Sequence, residues 1–184
     1  VKLITELNIG DYETGGGGDE PSTNPEWPAL KDLTLGNNIT WANQQWIVSH
    51  VTSTEAYLTL KSISGKSTWY NLQSACTSFA SKFTEAQKAC LKSVTAGNTS
   101  GIVFVATKDQ MYGEYGGFSY FNSNSRRNVG DYYWTSTDSG THVDAAWVVT
   151  SYGGIDENDD RGYSYKSHSH GFRPSVCIDL VLYM

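Results

Sequence analysis

The chain has 184 residues, 39% apolar and 13% aromatic, with 13 basic and 19 acidic residues and a formal net charge of −6. That length and apolar share suit one cored domain with an appendage. An acidic chain with few Lys/Arg clusters is a poor partner for a phosphate backbone, which argues against nucleic acid. No apolar run approaches the roughly 18 residues of a membrane span.

Residues 1–10 alternate weakly (Leu3, Ile4, Leu7, Ile9) and read as an N-terminal arm or isolated strand. No signal-like segment opens the chain, and its start at Val1 fits a trimmed chain or a piece of something longer, so export stays open. Residues 11–28 hold Gly15 to Gly18 and Pro21, Pro25 and Pro28, a Gly/Pro-rich linker by composition. The globular part starts near Trp27 or Leu33 and is assigned residues 29–184. Residues 45–51 and 56–60 predict two strands joined by a polar turn.

Leu72, Cys76, Phe79, Phe83, Ala86, Cys90 and Val94 then recur at steps of three and four, the helical period. Thr84 and Gln87 have capping-box spacing, which predicts two short helices, 71–83 and 85–94. Residues 102–106 are wholly apolar and predict a buried strand. Thr107 and Gln110 repeat the capping spacing and predict one helical turn. Residues 112–130 form a long loop whose aromatics argue for function. Strands are predicted at 132–137, 145–149 and 171–176, with the polar stretch 151–170 before the last.

Cys76, Cys90 and Cys177 are too few, and odd in number, for a disulfide framework. The expectation is three free thiols, two of them buried as small apolar groups. A Cys76–Cys90 bridge stays open only if the helix between them folds back, because fourteen helical residues span roughly 21 Å.

Several landmarks occur in an order with a known counterpart. These are Trp46-Ile47-Val48, the two helices, Phe104-Val105-Ala106-Thr107, Tyr133-Trp134-Thr135-Ser136-Thr137, Ala146-Trp147-Val148-Val149 and the closing Gly171-Phe172-Arg173-Pro174. Residues 41–180 resemble the C-type-lectin-like fold, in the branch of formylglycine-generating-enzyme-like domains and phage variable receptor-binding proteins. The resemblance implies an α+β fold with two short helices, small twisted antiparallel sheets and long loops on one face. It also implies loops that grip a bacterial surface receptor, with Ser151 to His170 standing where the variable proteins carry their hypervariable stretch.

Chemistry narrows the choice. The formylglycine-generating branch works through a close cysteine pair with copper, and here the nearest pair lies on predicted helices, so no enzyme is expected. Asp156, Asn158 and Asp160 offer oxygens for a loose calcium ion. An EF-hand counted from Asp156 would need Gly and Glu where Arg161 and Ser167 stand, and a solvated acidic loop is the plainer reading. His168 and His170, two apart, share one strand face and could meet Asp159 or Asp160 at zinc, but no third ligand is fixed by spacing. No metal or other cofactor is therefore expected.

The binding residues expected are Tyr112, Tyr115, Phe118, Tyr120, Asn122, Asn124, Arg126 and Arg127 in one loop. The other loop adds Tyr152, Asp156, Asn158, Tyr163, Tyr165, His168 and His170. Tyr among Ser, Gly and Asn is the composition of paratopes, where rigid rings meet adaptable polar groups. The two arginines would add charge-assisted donors. Trp134 and Trp147 are expected in the core, and Arg173 in a salt bridge that pins the last strand.

The function expected is a receptor-binding or adhesin module, displayed on a phage virion at a tail- or head-fibre tip and binding a bacterial surface glycan or protein. The alternative is a structural virion or cell-surface decoration whose aromatic loops pack on other subunits. Residues 1–28 would join other virion or fibre subunits, a homotrimer suits a fibre tip, and membrane insertion is not expected. A bacterial surface or secreted location is the alternative to the virion.

Overall fold

The computed structural model describes residues 25–30, 32–113, 117–157 and 164–183. The arm, nearly all of the linker, Tyr115, Asn158, Asp159, Asp160 and Tyr163 lie outside the described residues. In chain order the elements begin α1 (Trp27–Leu30), β1 (Asn38–Trp41), β2 (Gln44–Val51), β3 (Glu55–Leu60), β4 (Gly65–Ser67), α2 (Leu72–Ala80) and α3 (Glu85–Lys88). Then come β5 (Leu91–Lys92), β6 (Val94–Ala96), β7 (Thr99–Gly101), β8 (Phe104–Val105), α4 (Lys108–Tyr112) and α5 (Asn124–Arg127). The chain closes with β9 (Tyr133–Asp138), β10 (Ala146–Val149), β11 (Ile155–Asp156), β12 (His170–Phe172) and β13 (Pro174–Asp179). Among the described residues this is a mixed α+β fold of small sheets and short helices, and no helix is long and apolar enough to cross a membrane.

The first sheet runs β1-β2-β3-β13-β5, with β8 also on β13, and the second runs β11-β10-β9-β12-β4. The predicted hairpin is there as β2 and β3, and Thr52 accepts at its hydroxyl from the Thr54 and Glu55 amides to close the turn. β1 is an addition to the predicted strands. It turns into β2 through Ala42 and Asn43, both at positive φ (51° and 58°), a two-residue turn without the glycine that usually signals one.

The helical stripe holds only in its first half. Leu72, Cys76 and Phe79 bury one face of α2, and full burial of side chains the size of Leu and Phe stabilises by roughly 2 kcal/mol each. Thr84 and Gln87 cap each other reciprocally as predicted, yet α3 ends at Lys88. Leu91 and Lys92 pair instead with Ile178 and Cys177 of β13, so a long-range ladder overrides the helical period and the second predicted helix is cut short. The predicted strand 102–106 shrinks to β8 for a related reason, because only Phe104 and Val105 meet β13. Thr107 and Gln110 form the second capping box and open α4.

The closing Gly-Phe-Arg-Pro is where the chain leaves one sheet for the other, from β12 to β13. Gly171 is squeezed between Ile63 and Tyr133, and a Cβ there would meet the Ile63 Cγ2 at 2.6 Å and the Tyr132 carbonyl at 2.8 Å. Arg173 is buried but makes no carboxylate bridge among the described residues, contrary to the sequence expectation. Its Nε donates to the Leu60 carbonyl (2.8 Å), and its Nη1 to the Tyr133 hydroxyl (2.9 Å) and the Arg127 carbonyl (3.3 Å). Trp134 is core, with its indole N–H on the Ser67 carbonyl. Trp147 is only half-buried, covered by the Lys108 ammonium 4.3 Å from its ring centre.

Candidate functional site

Residues 117–130 are held down by four buried residues, Gly117, Phe118, Phe121 and Arg127, and are not an open loop. Phe118 is 2% exposed and packs on Tyr57 and Phe104, and Phe121 lies under the Arg173 guanidinium. Gly113 ends α4 at φ 70°, where a Cβ would meet the Asn122 amide and the Phe118 carbonyl at 2.8 Å. The organiser is Arg127, buried at the end of α5. Its Nε donates to the Gly153 carbonyl (2.7 Å), its Nη1 to the Met111 and Phe121 carbonyls, and its Nη2 to Asn124 Oδ1. A guanidinium whose donors are satisfied by its own chain is not a ligand contact, which corrects the expectation for Arg127 and, through burial, for Phe118.

Tyr120 is half-buried. Arg126, although exposed, folds back over its ring (5.1 Å) and donates to the Tyr120 carbonyl and Asn122 Oδ1. Tyr112, Asn122 and Asn124 are exposed around this hub. The turn after β10 seats against it. Gly153 is at φ 85°, and a Cβ there would collide with the Asn124 carbonyl. Tyr152, 64% exposed, stands out from this turn, and half-buried Asp156 lies on β11.

The other half of the predicted binding stretch is elsewhere. Tyr165 bridges Ala145, just before β10 begins, whereas Tyr152 follows its end. The extended chain between them makes that separation about 16 Å, so the predicted single loop face is split in two.

At the Tyr165 end the organiser is Lys166, which sequence reading passed over. Its ammonium is buried, pairs with Asp138 (2.6 Å), donates to the Val143 carbonyl (2.7 Å) and lies 4.8 Å from the Trp69 ring centre. Its backbone is held too, because its N–H donates to the Asp144 carbonyl and its carbonyl accepts from the Trp69 N–H. Three segments, at 67–70, 138–145 and 164–168, are therefore fastened at one lysine.

What this leaves outside is a cleft of about 370 Å³ lined by Tyr70, Asp144, Tyr165 and Ser167. Tyr70 is 61% and Tyr165 51% exposed, with the exposed His168 edge-on to Tyr165. Two tyrosine faces beside a carboxylate and a hydroxyl can stack on a flat ligand and accept its hydrogen bonds. Tyr70 and Asp144 were missed. Tyr70 adjoins the core residue Trp69, and only its exposure separates the two.

His170 is buried, contrary to the sequence expectation, between Trp134 (4.8 Å) and Tyr132 (5.6 Å) on β12. His168 precedes the strand, so the pair does not share a strand face, and the ring centres are 6.1 Å apart. Among the described residues no group of three or more His, Cys, Asp or Glu is placed to hold a metal ion. The calcium ligands Asn158 and Asp160 lie outside the described residues. No disulfide joins Cys76, Cys90 and Cys177, all of them buried, and burial pushes the thiols of Cys76 and Cys177 up to about 12, away from the thiolate a nucleophile or metal ligand needs. Compared with models of protein families and with curated proteins, the chain finds no match.

Proposed function

We propose that this chain is a non-enzymatic recognition module with a C-type-lectin-like fold, carried on a phage virion and binding a bacterial surface receptor. The observation that carries the reading is the cleft at Lys166, where exposed Tyr70 and Tyr165 flank Asp144 on a backbone locked by buried bonds. Rigid aromatic anchors on fixed loops lose little entropy on binding, which is what a recognition surface needs. The raised thiols support a role without cysteine chemistry. The contact surface of this reading is the Tyr70–Tyr165 cleft, in place of the two whole loops.

The test is binding of the full chain to a panel of intact bacterial cells, with Tyr70→Ala/Tyr165→Ala as the control. Saturable binding that the double variant loses, at unchanged circular dichroism, supports the reading. A well-folded chain that binds no cell but self-associates through these tyrosines supports the alternative, a decoration protein packed on other subunits.

A further inference from the structure

A second cleft measures about 390 Å³ and is lined by Trp69, Gly97, Asn98, Ser136, Thr137 and Asp138. It shares no lining residue with the first, but the two walls are chain neighbours joined through the Lys166–Asp138 pair. Tyr165 and Ser167, flanking Lys166 in the chain, line the first, and Asp138, the partner of Lys166, lines the second. Trp69 and Tyr70, with ring centres 6.2 Å apart, contribute one ring to each.

The chemistry of the second cleft is biased toward acceptors. Asn98 donates its amide to the Trp69 carbonyl (3.3 Å), which leaves Oδ1 buried with no partner. Ser136 is fully buried, and its Oγ is likewise without a partner. Asp138 gives one oxygen to Lys166 while its side chain remains 57% exposed. Thr137 Oγ1 accepts from the Lys108 amide and keeps its own proton to donate. Gly97, at φ 53°, closes over Ser136, where a Cβ would meet the Ser136 carbonyl at 2.0 Å and its Oγ at 2.8 Å, so the cleft offers a ligand the groups of Asp138 and Thr137.

We propose that the two clefts are adjacent subsites for an extended, uncharged glycan of at least two sugar units. The inference rests on the recognition reading above and names its ligand class. Sugar rings stack on aromatic faces through their C–H surfaces, and their hydroxyls donate to carboxylate, amide and hydroxyl oxygens. Tyr70 and Tyr165 serve the first unit with Asp144. Asp138, with its side chain 57% exposed, and the Thr137 hydroxyl serve the second. Asp138, Asp144 and a net charge of −6 disfavour uronic or sialic acids.

The experiment is calorimetric titration of the full chain with neutral β-linked glucose and N-acetylglucosamine oligomers of one to about six units, and with an oligouronate series. The expected result is affinity that rises steeply from one unit to two or three and then levels, with weak binding of the uronates. Tyr70→Ala should weaken binding about tenfold through lost stacking, and Thr137→Val about fivefold through one lost hydrogen bond. Tyr152→Ala, at the far end of β10, should change nothing.

No saturable heat from any neutral oligomer overturns the proposal, as does full affinity in both Tyr70→Ala and Thr137→Val. If cells are bound through Tyr70 and Tyr165 but only after protease-sensitive surface protein is left intact, the ligand class fails and the recognition reading stands. If oligomers bind and no cell does, the glycan subsites stand and the recognition reading fails.

Discussion

Beside Arg127 the rings of Phe118 and Phe121 turn inward, and beside Lys166 those of Tyr70 and Tyr165 turn outward, although both neighbourhoods draw on the same Tyr, Ser, Asn and Gly. Arg127 spreads its hydrogen bonds over α4, the 119–121 turn, α5 and the Gly153 turn, and Phe118 packs on Phe121, Tyr57 and Phe104. Lys166 has a single compact head, spent on Asp138, the Val143 carbonyl and the one buried ring of Trp69, and otherwise pins backbone. A fork of five donors can knit a small core, and an ammonium with three makes a nail. One region became scaffold and the other kept its tyrosines for contact.

The widest gap between the two should appear in stability. Removing Arg127 as Arg127→Leu leaves several buried carbonyls without donors and should cost about 3 kcal/mol or more, read as a lower urea midpoint. Gly153→Ala attacks the same seat from the other side. Its positive φ and the clash with the Asn124 carbonyl should cost about 2 kcal/mol. If either variant melts like the parent, the inward region is not a core and the contrast collapses.

Lys166→Met should cost less, about 1–2 kcal/mol, because Asp138 can turn to water. Its sharper signature is faster proteolysis in residues 138–145 and weakened ligand or cell binding. Tyr165→Ala should move stability by no more than about 0.5 kcal/mol while abolishing most of the binding. A large loss of Tm in that variant would make Tyr165 a packing residue and sink the outward half of the comparison.

The smallest effect lies away from both regions. The Lys92 ammonium, 2.6 Å away, holds the Glu55 carboxyl below its usual range, outweighing the desolvation that opposes it. A carboxylate depressed in the folded state stabilises above its unfolded value of 4.5, and that contribution fades as pH falls through the folded value. The parent should therefore exceed Glu55→Gln slightly in urea midpoint near neutrality, and the two should converge in acid. The pair is partly exposed, so the difference should be small and shrink with salt.

Local patterns were legible in the sequence wherever the interactions that decide them are local. Apolar and aromatic runs at 45–51, 56–60 and 132–137 and the capping boxes at Thr84 and Thr107 each depend on neighbours within a few residues. β1 escaped because its turn uses Ala42 and Asn43 where glycine is the usual signal. The second helix was misread because helical period is a local signal and the pairing of Leu91 with Ile178 is not. At the cleft, composition pointed to Tyr165 and its neighbour His168, while Tyr70 and Asp144 come from segments far away in the chain. Phe118, Arg127 and His170 look like contact residues in sequence, since nothing nearby reveals that carbonyls or rings from other segments enclose them.

The sequence alone determined the α+β character, the order of the main strands and a surface rich in tyrosine, because side-chain period and composition act along the chain. The tertiary structure alone decided which cation would gather a core and which would fasten a cleft. It did so because most of the acceptors that Arg127 and Lys166 satisfy belong to segments well separated in the chain, which only the folded structure brings together.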